Sequence, residues 1–319
     1  MALALGVGAL CVAEVVGRLA GPPPVQGFAD LPLAYTRCDP VRGYALVPSA
    51  TIDYARSRTT LNALGLRGPL PDDGEPTAVL AAGDELTFGW GMTDEQTYPT
   101  QLAALLRERC PSCGVVVNAG VPGYTSYQGL MLVRQLAPLL RPRVIVVSFH
   151  LNDASLDGQR DAPDVIVAGC RGGALTDTLR RRSSLYGWLA WLADRPQPDW
   201  WSTDVRTPIA RYRRNLLGIT AEARRVGASV VFLNVGFRGS ADTPRGRHDE
   251  HLFRRGRYED EYHEEMRGAA TPDGMPIVQL IGADLGPDAM LDDVRPNAEG
   301  YRRIAARLAS AIADHALLE

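Results

Sequence analysis

The sequence predicts a three-layer α/β/α domain built on a parallel five-stranded sheet, of the doubly wound, flavodoxin-like kind. Three observations carry that reading. Five short aliphatic runs recur between residues 78 and 281, nearly unbroken by polar residues, as expected of strands buried on both faces. Segments of helical period separate them. Several of the runs stop at glycine, asparagine or acidic residues, which is how such a sheet delivers ligand-binding groups to its carboxyl edge.

The strands expected are Ala78–Ala82, Val115–Asn118, Val144–Phe149, Ser229–Val235 and Ile277–Ile281. Helices are expected near Tyr98–Arg109, Gln128–Leu139 and Pro208–Arg225, with a last one from about Ala298 to Leu317. Pro296-Asn297 marks the start of that last helix, and Ile304, Leu308 and Ile312 recur along one of its faces. Ahead of the domain, residues 22–74 read as an extended, turn-rich arm closed by the polar linker Pro71-Asp72-Asp73-Gly74. The domain proper then spans residues 75–319. Two insertions, near 154–207 and 237–273, follow strand ends and are expected to form a partial lid, aromatic on one side and polar on the other.

Residues 1–21 form an apolar segment that Pro22 to Pro24 terminate. Its uninterrupted part, Ala2 to Ala13, is shorter than the roughly 20 residues of a spanning helix, and no basic residue precedes it. Glu14 and Arg18 stand four apart and can pair on one face. Three readings stay open: a membrane anchor, a signal-anchor that starts upstream, or a helix packed on the domain. The anchor is favoured, giving possible membrane association through residues 2–20, although Arg18 fits poorly with an outward-facing domain.

A net charge of −3 gives no reason to expect a nucleic-acid partner. All basic side chains are arginine, which reflects coding bias rather than a phosphate site. Of five cysteines, Cys110 and Cys113 form a C-x-x-C pair without a second pair to complete a metal site; a local disulfide or two inert thiols is expected. His248, His251 and His263 lie in a charge-laced segment that reads as solvated surface, so neither metal nor cofactor is implied.

The chemistry concentrates in four blocks. Gly83-Asp84-Glu85-Leu86-Thr87-Phe88-Gly89 follows the first strand, and Asn118-Ala119-Gly120-Val121-Pro122-Gly123-Tyr124 the second. His150-Leu151-Asn152-Asp153 ends the third, and Asp292-Asp293-Val294-Arg295-Pro296-Asn297 precedes the last helix. Together and in this order, from about Ala78 to the C-terminus, they resemble the SGNH (GDSL) hydrolases. That resemblance implies ester hydrolysis, often of acetyl groups on saccharides or lipids. It would be run by a serine at position 85, a histidine at 295 and an aspartate at 292 that orients it. The same resemblance assigns Gly120, Asn152 and the backbone N–H of residue 85 to an oxyanion hole. Many bacterial proteins of this kind carry an N-terminal helix, which implies a membrane-anchored or exported protein, with a cytoplasmic one as the alternative.

This chain departs from the pattern where it matters. Glu85 replaces the serine, Arg295 replaces the histidine, and His150 replaces a glycine. Arginine keeps its proton and cannot serve as general base. A carboxylate attacking an ester would form an anhydride more reactive than the substrate. Glu85 and Arg295 are instead expected to pair in a two-toothed salt bridge, with Glu85 seated among the oxyanion donors. The nearby hydroxyls of Thr87 and Ser126 have no visible base. Two functions stay open: a diverged member that binds a small-molecule or saccharide ligand without hydrolysis, or an enzyme of altered carboxylate chemistry using Glu85, Asp292 and Arg295, with His150 as substitute base.

Overall fold

Seven consecutive residues, Thr77–Gly83, are all buried, because the strand they form lies at the heart of a sheet covered on both faces. The computed structural model describes residues 2–21, 35–54, 57–155, 176, 178–179, 182–193, 205–235, 261–270, 277–280, 285–291 and 295–318. Four short strands come first: β1 (Thr36–Asp39), β2 (Gly43–Leu46), β3 (Thr51–Tyr54) and β4 (Ser57–Thr60). They pair as two antiparallel hairpins, β1 with β2 and β3 with β4. The central strands are β5 (Thr77–Gly83), β6 (Val115–Gly120), β7 (Val144–Ser148), β8 (Ser229–Val235) and β9 (Ile277–Leu280). All five run parallel in the order β6-β5-β7-β8-β9.

Alternation along each strand divides the interior in two. Leu80 and Ala82, Val117 and Ala119, Ile145 and Val147, and Val230 and Phe232 point to one face. Val79 and Ala81, Val116, Val144 and Val146, and Val231 and Leu233 point to the other. The first face is covered by α4 (Ser126–Leu140) and α6 (Ile209–Val226), through Val133, Leu136, Leu216 and Ile219. A further helix over residues 261–270, α7, adds Tyr262 and Met266. The second face is covered by α3 (Tyr98–Arg109) and α8 (Ala298–Asp314), through Leu102, Leu106, Ile304, Leu308 and Ile312. Each such side chain contributes about 1.5–3 kcal/mol of transfer free energy on burial. The three-layer arrangement and its five parallel strands are those the sequence predicts.

Helix ends follow local chemistry. Thr125 and Gln128 form a capping box that starts α4 at Ser126, two residues before the expected Gln128. Asn297 caps α8, its side chain accepting from the N–H of Glu299 at 2.9 Å and of Gly300 at 3.1 Å.

The arm does more than lead in. Leu46, Ile52 and Leu61 enter the first core, and Arg67 bridges to Asn118 on β6, so the arm covers the outer edge of the sheet. The Arg67 guanidinium is 2 % exposed. It donates to the carbonyls of Phe88 (3.0 Å), Gly89 (2.9 Å) and Met92 (2.7 Å), and pairs with Asp94 at 2.7 Å.

At the N-terminus, α1 (Ala2–Ala20) packs on α5 (Ser184–Ala193), so the described part of the first insertion meets this helix. Among the described residues no helix is long and apolar enough to cross a membrane. The rest of the expected lid, at 156–175, 177, 180–181, 194–204, 237–260 and 271–273, lies outside the described residues. Glu14 pairs with Arg18 at 2.9 Å and also accepts from Ser183 Oγ (2.8 Å) and from the N–H of Ser184 and Leu185 (both 3.0 Å). It thereby caps α5 across the sequence. The bond from the Leu185 N–H, with those from Arg18, Ser183 and Ser184, lowers its carboxyl from 4.5 to about 2. A carboxyl lowered on folding contributes its full stabilisation above pH 4.5 and loses it as pH falls towards 2. Acid titration should therefore release α1 from α5 in that window. Hydrogen exchange at Ser184 and Leu185 reports it, and Glu14→Gln should remove the pH dependence.

Cys110 and Cys113 are joined in a disulfide between α3 and β6, the first of the two outcomes expected for that pair. Cys38 is also disulfide-bonded, whereas Cys11 is a free, exposed thiol.

Candidate functional site

The sheet order places a switch point at β5: the chain passes from β5 to β6 on one side, then returns to β7 on the other. In such sheets a ligand sits beyond the carboxyl ends of the strands at this point, and the residues just after the three strand ends gather there. Glu85 follows β5, the 120–124 turn follows β6, and His150 and Asn152 follow β7.

Asp84 caps the one-turn helix α2 (Glu85–Phe88), its Oδ1 accepting from the Leu86 N–H at 2.9 Å. Gly89 ends that turn in the left-handed region, at φ 96°. The turn is seated directly on the ends of two strands. A Cβ on Gly83 would stand 2.0 Å from Thr87 Oγ1, and one on Gly120 would stand 2.1 Å from the Phe88 nitrogen. Only glycine permits this approach.

Glu85 is 5 % exposed. Its Oε2 accepts from the Gly123 N–H at 3.0 Å and from Asn152 Nδ2 at 2.9 Å. Asn152 is fully buried and also donates to the Tyr124 carbonyl at 3.1 Å. A side-chain oxygen of the chain itself thus sits between a backbone N–H and an amide aimed at one point. The Gly120 N–H, expected among these donors, is instead given to Asn118 Oδ1 at 3.0 Å. Gly123 takes that place because Tyr124 and Tyr44 fix the turn. The Tyr124 hydroxyl donates to the Tyr44 carbonyl at 2.6 Å, and the Tyr44 hydroxyl to the Pro122 carbonyl at 2.5 Å.

Arg295 does not meet Glu85 in an ion pair among the described residues. Its guanidinium lies 3.9 Å from the centroid of the Trp90 ring. Two features hold it there. The Leu291 N–H donates to the Arg295 carbonyl at 2.7 Å, and Met290 bridges to Pro296, which fixes the turn before α8. The indole then offers its negative face to the cation. Glu85 already has two N–H donors, so desolvating a guanidinium beside it would bring little further gain. Asp292 lies outside the described residues.

His150 is buried and stacks edge-on against His263 of α7, with ring centroids 4.9 Å apart. Burial, and secondarily the neighbouring His150, lowers His263 to about 2, so it stays neutral. Neither nearby hydroxyl meets an imidazole among the described residues. Thr87 bonds the buried Tyr98 hydroxyl at 3.0 Å. Ser126 donates its hydroxyl to Asp153 Oδ1 at 2.6 Å and accepts from Asn215 at 2.9 Å. Asp153 also accepts from the Ser126 N–H, at 2.9 Å, and so anchors the first turn of α4. Among the described residues no group of three or more His, Cys, Asp or Glu could hold a metal ion. His248 and His251 lie outside them.

The GDSL-like lipase/acylhydrolase family model matches residues 81–303, more than half of the chain. The chain belongs to this family. No curated protein matches it in sequence. Solved structures of similar fold include the psychrotrophic esterase EstA from a Pseudoalteromonas species, at 14 % identity and a TM-score of 0.46 over 75 % of this chain and 98 % of that one. A catalytic mutant of an acetylxylan esterase from Geobacillus stearothermophilus shares 16 % identity, with a TM-score of 0.48 over 75 % and 95 % of the two chains. A lipase/acylhydrolase from Enterococcus faecalis shares 17 %, with a TM-score of 0.46 over 75 % and 96 %.

Within this GDSL-like frame the structure brings Glu85 and Asn152 together, and sets Arg295 on Trp90 and His150 on His263. Gly123 and Trp90 were not singled out from the sequence. A glycine three residues past the block's own glycine, and a tryptophan just after Gly89, were the available signals. Arg67 gave no local signal at all, since its partners lie more than twenty residues away.

Proposed function

We propose that this member of the GDSL-like family no longer hydrolyses esters and acts by binding, with its oxyanion site filled by its own Glu85. The observation that carries this reading is the seat of Glu85 Oε2 between the Gly123 N–H and the Asn152 amide. In acyl transfer, such donors serve the oxygen that becomes negative in the transition state. Here a carboxylate oxygen occupies that point, and the hydroxyl that would attack is absent from position 85. Arg295 is stacked on Trp90, and a guanidinium offers no base. What remains without chemistry is the carboxyl edge at the switch point, where a small acylated molecule or saccharide would bind.

The test is an esterase assay with 4-nitrophenyl acetate. The parent should show no turnover above buffer, and Glu85→Gln should change nothing. The double variant Glu85→Ser with Arg295→His should gain measurable hydrolysis, because it returns a nucleophile and a base to the two vacated positions. Acylated oligosaccharides should raise the parent's unfolding midpoint while remaining uncleaved. Robust turnover by the parent that disappears in Glu85→Gln would overturn the proposal.

A further inference from the structure

Eight of the thirteen large apolar side chains that stand exposed among the described residues lie on two helices: Val7, Leu10, Val12, Val15, Val16 and Leu19 on α1, and Leu189 and Leu192 on α5. The values run from 51 % at Leu192 to 84 % at Leu19. Polarity in this pair is reversed from that of a helix pair in water. Glu14, the acidic residue of α1, is turned inward to cap α5, and Arg18 spends its Nε on Glu14. Gly17 lets the helices close on each other, since a Cβ there would stand 3.2 Å from Ser184 Cβ. Polar groups are satisfied within the pair and hydrocarbon is left outside.

We infer that α1 and α5 together dip into the acyl chains of a phospholipid bilayer, lying in one leaflet rather than spanning it. The distribution of the exposed residues chooses this occupant. At 100° per residue the six on α1 sweep about two-thirds of the helix circumference. A second copy of the chain would cover one face; a hydrocarbon solvent covers the whole sweep. Length sets the depth. The ten residues of α5 reach about 15 Å along the axis, half of the ~30 Å hydrocarbon core. The end that stays at the headgroups is marked by the exposed Arg18 and by Trp188, whose indole N–H donates to the Gly21 carbonyl at 3.0 Å. The bonded Cys38 and the Cys110–Cys113 disulfide suit a membrane face in an oxidising compartment.

Arg180 to Arg182 stand just before α5 in the sequence and can add attraction to anionic headgroups, so an uncharged phospholipid isolates the apolar contribution. The experiment is flotation of the full-length chain with vesicles of pure phosphatidylcholine at low and high salt. The parent should rise with the vesicles at both. The triple variant Val12→Gln, Val16→Gln, Leu19→Gln alters only exposed positions, and its partitioning should fall at least tenfold with an unchanged unfolding midpoint. Should that variant fail to fold, quenching of the parent's tryptophan fluorescence by brominated acyl chains, reduced in Trp188→Phe, supplies the same evidence. A parent that stays at the bottom of the gradient overturns the inference. So does a parent that forms a dimer in vesicle-free buffer, dissolved by the triple variant, and does not float. None of these outcomes depends on the esterase result.

Discussion

Replacing Arg67 with methionine is expected to destabilise the protein by about 3–5 kcal/mol, the range for removing one member of a buried ionic network. Methionine keeps the apolar stem but withdraws every donor. The carbonyls of Phe88, Gly89 and Met92 would then lose the guanidinium that serves all three. Each keeps one other donor (Asn118 Nδ2, the Met92 N–H and the Ser57 hydroxyl respectively), so what is lost is the bond to the charged group itself, about 1.5–3 kcal/mol apiece and less than additive together. Asp94 matters less, being 45 % exposed on its side chain and able to turn to solvent. Urea denaturation measures the total. Hydrogen exchange should show the loss concentrated at residues 85–97, because Arg67 ties the arm to the loop that follows α2. An unchanged midpoint with unchanged exchange in that loop would contradict the assignment.

The second large effect is expected from Gly120→Ala. Its methyl group would fall 2.1 Å from the Phe88 nitrogen, 2.5 Å from the Thr87 carbonyl carbon and 2.7 Å from the Phe88 Cα. These are backbone atoms, so no rotamer change relieves the overlap, and α2 must lift from its seat. A loss above about 4 kcal/mol belongs to this class of overpacking and strain. Since Glu85 opens that same turn, its bonds to Gly123 and Asn152 should be lost with it. Gly187→Ala is the matched control: nothing lies within 4 Å of a Cβ there, and alanine in a helix gains up to about 1 kcal/mol over glycine. Thermal unfolding of the two variants side by side should separate them clearly.

How much of this was readable beforehand follows from where each signal lives. The strands were legible because a strand buried on both faces is a continuous aliphatic run, and Thr77–Gly83 and Val144–Ser148 are such runs. Glu85 was legible because glycine and an N-capping acid before a helical turn form a local pattern. Its partner was not. Whether Gly120 or Gly123 offers its N–H depends on the conformation of residues 121–124, and that is set by Tyr44, nearly eighty residues away. The same distance problem hid the choice of Arg295. An arginine and a glutamate in matching blocks invite a salt bridge, but the turn at 290–296 delivers the guanidinium to Trp90. Glu14 shows both sides at once. Its pairing with Arg18 is an i, i+4 relation written in the sequence, whereas its capping of α5 joins positions about 170 apart.

The seat of Glu85 has a practical side. On the proposed reading, reagents that label serine hydrolases by phosphonylating the active hydroxyl would find a carboxylate here, held by the Gly123 N–H and the Asn152 amide. Chemical profiling with those reagents would leave this chain dark, however abundant it was, and a census of the enzymes around it would miss it.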